Sequence, residues 1–312
     1  MSRIVTVGAA QLGPIAREES RSQVVKRLLE LMRQAKGHGC DLVVYPELAL
    51  TTFFPRWHFE AQDEIDTWFE KEMPSSETLP LFEEARRLDM AFKIGYAELT
   101  EEDGRTRHFN TAILVDKSGK ITLKYRKVHL PGHAEHEPWR AFQHLEKRYF
   151  EVGNLGFPVT RMLGGIFGMC ICNDRRWPET YRVMGLQGVE MVVLGYNTPE
   201  HHPVAPEHDH LGYHHNTLSL QAGAYQNGTW VVGVAKAGVE EGCKLIGGSQ
   251  IVAPSGETVA MATTLGDELI VARCDLDHTK SYKETIFNFA KHRRPEAYGL
   301  IVARTGAEPP AE

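Results

Sequence analysis

The 312-residue sequence predicts an α/β fold in which helices pack outside β-sheets. Two observations lead there. Short apolar runs of strand length alternate with stretches whose apolar residues recur at helical spacing. Turn-rich segments of hairpin type separate some of those runs. Residues 4–10 read as a buried strand, and 18–36 as a helix with Val24, Leu28, Leu31 and Met32 on one face. Residues 41–45 form the next strand and end in Pro46-Glu47. A helix over 78–88 leads to a strand over 91–98. Strands over 112–115 and 121–125 flank Asp116-Lys117-Ser118-Gly119-Lys120, a hairpin turn. A strand over 165–172 precedes a helix over 178–185, opened by Pro178, whose fixed φ suits a first turn. A strand over 191–196, a helix over 216–226 and strands over 229–237, 249–254 and 269–275 complete the pattern, with Pro254-Ser255-Gly256-Glu257 as a second hairpin turn.

No low-complexity linker or solenoid repeat divides the chain, so one domain over 1–303 is expected, followed by a loose Pro-rich tail over 304–312. Apolar residues make up 42% and charged residues 24%, ordinary values for a globular core. A net charge of −6 and a pI near 6.2 argue against nucleic acid as an obligate partner. No apolar run approaches the roughly 18 residues of a membrane span. Met1-Ser2-Arg3-Ile4-Val5 runs straight into the first strand and leaves no room for a signal peptide, so a cytoplasmic protein is the expectation. The five cysteines are odd in number, irregular in spacing and free of a CxxC pair, which speaks against a disulfide framework or a thiolate zinc site.

Three strand ends carry reactive groups. Val43-Val44-Tyr45-Pro46-Glu47 places a carboxylate directly after a buried strand. Such a glutamate can cap a helix or join an ion pair. Partly desolvated, with a raised pKa, it suits general-base work. Tyr125-Arg126-Lys127-Val128-His129 places cations after another strand, either solvated or, at Lys127, fixed to hold negative charge on a substrate oxygen. Cys170-Ile171-Cys172-Asn173-Asp174-Arg175-Arg176-Trp177-Pro178 ends a third strand on Cys172, with Cys170 the more core-like of the two thiols. A corner ahead of a helix N-terminus exposes a nucleophile, and the helix dipole or the nearby Arg175 and Arg176 would lower its pKa; an inert buried cysteine is the competing reading. Together the three ends offer a nucleophile, a base and an oxyanion-holding cation, and open α/β sheets place their sites at such ends.

These motifs resemble the nitrilase, or carbon–nitrogen hydrolase, superfamily in residues, order and spacings of 80 and 45. The resemblance runs from about residue 4 to about 300. Within that superfamily the chain is most similar to the N-carbamoyl-D-amino acid amidohydrolases. The stretches that carry this are Thr51-Thr52-Phe53-Phe54-Pro55-Arg56-Trp57-His58-Phe59, Phe142-Gln143-His144-Leu145-Glu146-Lys147-Arg148-Tyr149-Phe150, Gly195-Tyr196-Asn197-Thr198-Pro199 and Phe287-Asn288-Phe289. Asn173, in place of the bulky residue many superfamily members carry, fits this subgroup. The resemblance implies an αββα sandwich of two mixed sheets flanked by helices, dimers or tetramers, and no metal or organic cofactor. It implies Glu47, Lys127 and Cys172 as the catalytic triad, with Glu146 in support.

On that reading Cys172 attacks the ureido carbonyl of an N-carbamoyl amino acid and Glu47 moves the proton. Lys127 and the Asn173 N–H hold the oxyanion. The substrate carboxylate calls for a cation, Arg175 or Arg176, unless both pair with Asp174 or Glu179. His144 and Asn197 are further polar contacts. His201, His202, His208, His210, His214 and His215 crowd into 15 residues and read as a solvated or inter-subunit loop, since they lack the pattern of a catalytic zinc site. The alternatives are a superfamily relative with another substrate (a β-ureidopropionase, an aliphatic amidase or a nitrilase), a zinc amidohydrolase built on His208-Asp209-His210, and a non-enzymatic binding module.

Overall fold

The computed structural model describes residues 2–311. Two six-stranded mixed sheets face each other. The first has the order Glu268–Asp275, Ile4–Gln11, Leu42–Val44, Ala91–Glu102, Arg105–Val115, Ile121–Arg126. The second has the order Val159–Met162, Gly165–Ile171, Met191–Tyr196, Trp230–Ala235, Gln250–Val252, Thr258–Met261. Read in those orders, both sheets pair antiparallel, parallel, parallel, antiparallel, antiparallel, so one topology is used twice. The parallel strands lie at the centre with both faces covered, which is why their sequences are apolar throughout rather than alternating.

Alternation then decides which residue meets which layer. Leu42 and Val44 join Val7, Leu114, Met169, Val193 and Val232 in the core between the sheets. Val43, pointing the other way, joins Phe92 under Val24, Leu28 and Leu31 of the helix Arg21–Gly37 and Leu81 and Phe82 of the helix Leu79–Leu88. On the far side, Tyr181 and Met184 of the helix Pro178–Leu186 and Leu220 and Ala224 of the helix Gly212–Asn227 cover the second sheet. The αββα sandwich implied by the motifs is the observed architecture.

Several boundaries differ from the sequence expectation. The first helix starts at Arg21 rather than 18, because Ser20 and Gln23 form a reciprocal capping box. The strand expected over 112–115 begins at Arg105: Asp103 and Gly104, both at positive φ, form a two-residue hairpin turn that extends the pairing. The strand expected over 229–237 stops at Ala235, and Ala237–Glu240 pairs instead with Cys243–Ile246 in a separate hairpin. The edge strands Val159–Met162 and Thr258–Met261 are short and were not anticipated. Residues 304–311 carry no helix or strand and are exposed. Among the described residues no helix is long and apolar enough to cross a membrane.

Candidate active site

The three strand ends meet between the sheets. Past Val44 the chain turns through Pro46 and Glu47 between Gly95 of the first sheet and Gly195 of the second. A Cβ on Gly95 would lie 2.9 Å from Glu47 Cα, and one on Gly195 would overlap the Glu47 nitrogen. The Glu47 carboxylate is wholly buried and fully engaged. Its Oε1 accepts from Lys127 Nζ and from Asn110 Nδ2, each at 2.8 Å, and its Oε2 accepts from the Asn197 N–H at 3.0 Å. Asn197 Nδ2 also donates to Glu47 O at 2.9 Å. A carboxylate this deep is tolerated only with such partners.

Lys127 follows the strand Ile121–Arg126 and reaches a second carboxylate, Glu146, at 2.5 Å. His144 Nε2 lies 3.0 Å from the other Glu146 oxygen. Burial disfavours the Lys127 ammonium, but Glu146 and Glu47 outweigh it and hold its pKa above the usual lysine range. Burial likewise opposes the Glu146 carboxylate, yet Lys127 and then His144 hold it below its usual value. Lys127 is therefore a permanent cation.

Cys172 is the first residue beyond the strand Gly165–Ile171 and sits at φ +47°, a strained conformation for a side chain-bearing residue. Asp174 holds this corner: it accepts from Tyr125 OH at 2.7 Å, His129 N at 2.9 Å and Ile171 N at 3.0 Å, and contacts His129 Nδ1 at 2.8 Å. The expectation of a lowered thiol pKa is overturned. Burial and the Glu47 charge push the Cys172 thiol up, and Lys127 and Arg175 offset only part of that. The resting thiol keeps its proton, so an attack by its sulfur would need a base.

A cavity of about 260 Å³ opens over Cys172, lined by His144, Arg176, Asn197, Thr198, Pro199 and Phe142 among others, with no aspartate or glutamate among the described residues that form it. The two neighbouring arginines diverge. Arg175 turns inward. It donates to Cys172 O at 2.6 Å, Asn216 Oδ1 at 2.9 Å and Thr198 Oγ1 at 2.9 Å and stacks over Tyr196, so its guanidinium braces the corner and is not the substrate contact expected of it. Arg176 reaches the cavity wall and meets only Asn173 Oδ1 at 3.2 Å; no carboxylate pairs with it among the described residues. The pairing of these arginines with Asp174 or Glu179 does not occur. The Asn173 side chain is likewise corrected: it donates to His129 O at 3.1 Å and lines a groove beside Trp177 rather than the Cys172 cavity. Asn197 Oδ1 is buried without a protein partner.

A family model for carbon–nitrogen hydrolases matches residues 6–284. The chain belongs to the carbon–nitrogen hydrolase family. A nitrilase of Pyrococcus abyssi is 30% identical over 297 residues, covering 95% of this chain and 99% of the relative. An N-carbamoylputrescine amidase of Solanum lycopersicum is 30% identical over 319 residues, covering 99% and 98%. The solved carbon–nitrogen hydrolase of Helicobacter pylori G27 superimposes with a TM-score of 0.82 at 23% identity, over 97% of this chain and 99% of that one, and shares its fold.

Parts of this carbon–nitrogen hydrolase site escaped the sequence reading. Asn110 sits in the middle of the strand Arg105–Val115, between Phe109 and Thr111, and carried no signal because the strand expected from sequence begins only at 112. Asp174, expected as a partner for arginines, instead gathers the backbone around Cys172. Of the histidine cluster, His201 Nδ1 and the His202 N–H both contact Asp209, at 2.8 and 2.7 Å, and this fixes the loop over the cavity. His208-Asp209-His210 lies in the turn Pro206–Leu211.

Proposed function

We propose that the protein hydrolyses N-carbamoyl-D-amino acids to the D-amino acid, carbon dioxide and ammonia through a covalent intermediate on Cys172. The observation that carries the substrate class is Arg176, an arginine in the wall of the nucleophile's cavity with no carboxylate partner among the described residues. A substrate carboxylate completes it, as a guanidinium fork suits. N-carbamoylputrescine, whose free amine is an ammonium, would meet that cation unfavourably. The D configuration rests on the resemblance of the motif stretches.

The reaction runs as follows. The Cys172 thiol passes its proton to Glu47 as sulfur attacks the ureido carbon. Lys127 and the Asn173 N–H hold the oxyanion. The bond to the terminal nitrogen breaks, Glu47 returns the proton and ammonia leaves. Water, deprotonated by Glu47, attacks the remaining S-acyl group, and the C–S bond breaks as the thiolate regains a proton. The carbamic acid released falls apart to carbon dioxide and the amino acid. Asn197 Oδ1 is free to accept from a ureido N–H. Assembly into dimers or tetramers and a cytoplasmic setting belong to the same reading.

Ammonia release from paired N-carbamoyl-D- and L-amino acids, and from N-carbamoylputrescine, tests it. The D-isomer should be turned over fastest, with or without a strong chelator, and Cys172→Ala should be inactive. Faster turnover of N-carbamoylputrescine would sink the acidic-substrate reading. Activity lost to chelator and restored by zinc would favour a zinc amidohydrolase.

A further inference from the structure

The strand end that carries Glu47 is one residue out of register. In a regular parallel ladder Tyr45 donates to Lys93 O and accepts from Gly95 N–H. Tyr45 N does donate to Lys93 O at 2.9 Å, but Gly95 N–H goes to Pro46 O at 3.2 Å. The slip leaves the buried Tyr45 carbonyl without a ladder donor, a costly state for a backbone group. Lys93 Nζ takes that place, 2.9 Å from Tyr45 O and 3.4 Å from Pro46 O.

Lys93 is fully buried, in the strand Ala91–Glu102. The ion-paired buried lysines are Lys127 and Lys236; Lys93 has no carboxylate partner among the described residues. Burial presses its pKa down to about 7, with Glu47 and then Cys170 the opposing influences. A methionine would fill the same space without that desolvation cost, so a lysine helps here only through what its Nζ holds. From the opposite side Gly195 closes the packing, since a Cβ there would lie 2.7 Å from Lys93 Nζ.

We propose that Lys93 is a positioning residue for Glu47: by holding the displaced Tyr45 and Pro46 carbonyls it fixes the register slip from which the carboxylate reaches Lys127, Asn110 and the Asn197 N–H. The inference rests on the reading of Glu47 as general base.

The test compares Lys93→Met with wild type by urea unfolding and by steady-state kinetics on an N-carbamoyl amino acid. The expected result is a folded protein with kcat reduced about tenfold or more and KM within about twofold, as misplacement of a catalytic group predicts. Lys93→Gln, whose amide can still donate to the two carbonyls, should recover kcat to within about threefold of wild type. A folded Lys93→Met with wild-type kcat overturns the proposal. If Lys93→Met does not fold, Lys93→Leu decides: a folded variant with kcat reduced at an unchanged KM supports the proposal, and one with wild-type kcat overturns it. Glu47→Gln runs alongside. Inactive Glu47→Gln with unaffected Lys93→Met removes Lys93 alone, whereas active Glu47→Gln removes the general-base reading itself.

Discussion

Glu47 and Glu146 face one cation, and neither can lose it cheaply. Lys127→Met should cut kcat by about 10²–10³-fold through the lost oxyanion donor. It should also lower stability by about 3–5 kcal/mol, because two buried carboxylates are left facing one another; steady-state kinetics and urea unfolding read the two effects separately. His129 differs. Its ring stacks on Trp177 at 5.0 Å and reaches the nucleophile only through Asp174. His129→Ala should therefore leave more activity than Glu47→Ala, and the reverse order would make the base assignment wrong. At this scale the sequence was informative where a polar residue ends a buried strand, as at Glu47, Lys127 and Cys172. It was uninformative where direction matters: Arg175 and Arg176 are neighbours in one tight turn, and only folding sends one into the core and the other to the cavity.

The elements act mainly by bringing backbone close. Gly95 and Gly195 let the Pro46-Glu47 turn fit between two sheets; the sequence marks Gly195 only as part of a motif stretch and Gly95 not at all, because a glycine in a strand more often marks a bulge. Gly195→Ala should shift the Glu47 backbone, and a displacement of about 1 Å there costs on the order of 10²-fold in kcat. Gly37→Ala, with open space around the new methyl, should be neutral, and equal kinetic losses in the two variants would contradict the packing argument. Strand and helix identity followed from periodicity for the long elements. The Ala91–Glu102 and Arg105–Val115 hairpin was foreshortened because its outer half is polar and half-exposed, where alternation carries little signal.

For the whole molecule, one sheet topology repeated and packed face to face makes the site a product of both halves: Glu47 and Lys127 come from the first sheet and Cys172 from the second. Periodicity alone could not announce that, since pairing between distant segments leaves no local trace; the order of the motifs did. A second buried network joins the halves. Glu240 accepts from Arg56 at 2.8 Å, the Phe53 N–H at 2.8 Å and the Ile15 N–H at 3.0 Å, and pairs with Lys236 at 3.2 Å. Burial alone would raise its pKa, but Lys236 and Arg56 bring it from 4.5 down to about 2. The stability it contributes is therefore complete above about pH 4.5 and lost as pH falls toward 2. Glu240→Gln should cost about 3–5 kcal/mol near neutrality and much less in strong acid. A difference from wild type that stays constant with pH, in urea midpoints, would refute this.

Covalent chemistry at Cys172 on an acidic ureido substrate leaves a trace that can be weighed. The most direct test is mass spectrometry of enzyme quenched in acid during turnover of an N-carbamoyl-D-amino acid. The expected adduct equals substrate minus ammonia, is confined to the peptide bearing Cys172 and is absent from an inactive Cys172→Ala. An adduct on another residue, or unimpaired turnover by Cys172→Ala, would contradict it.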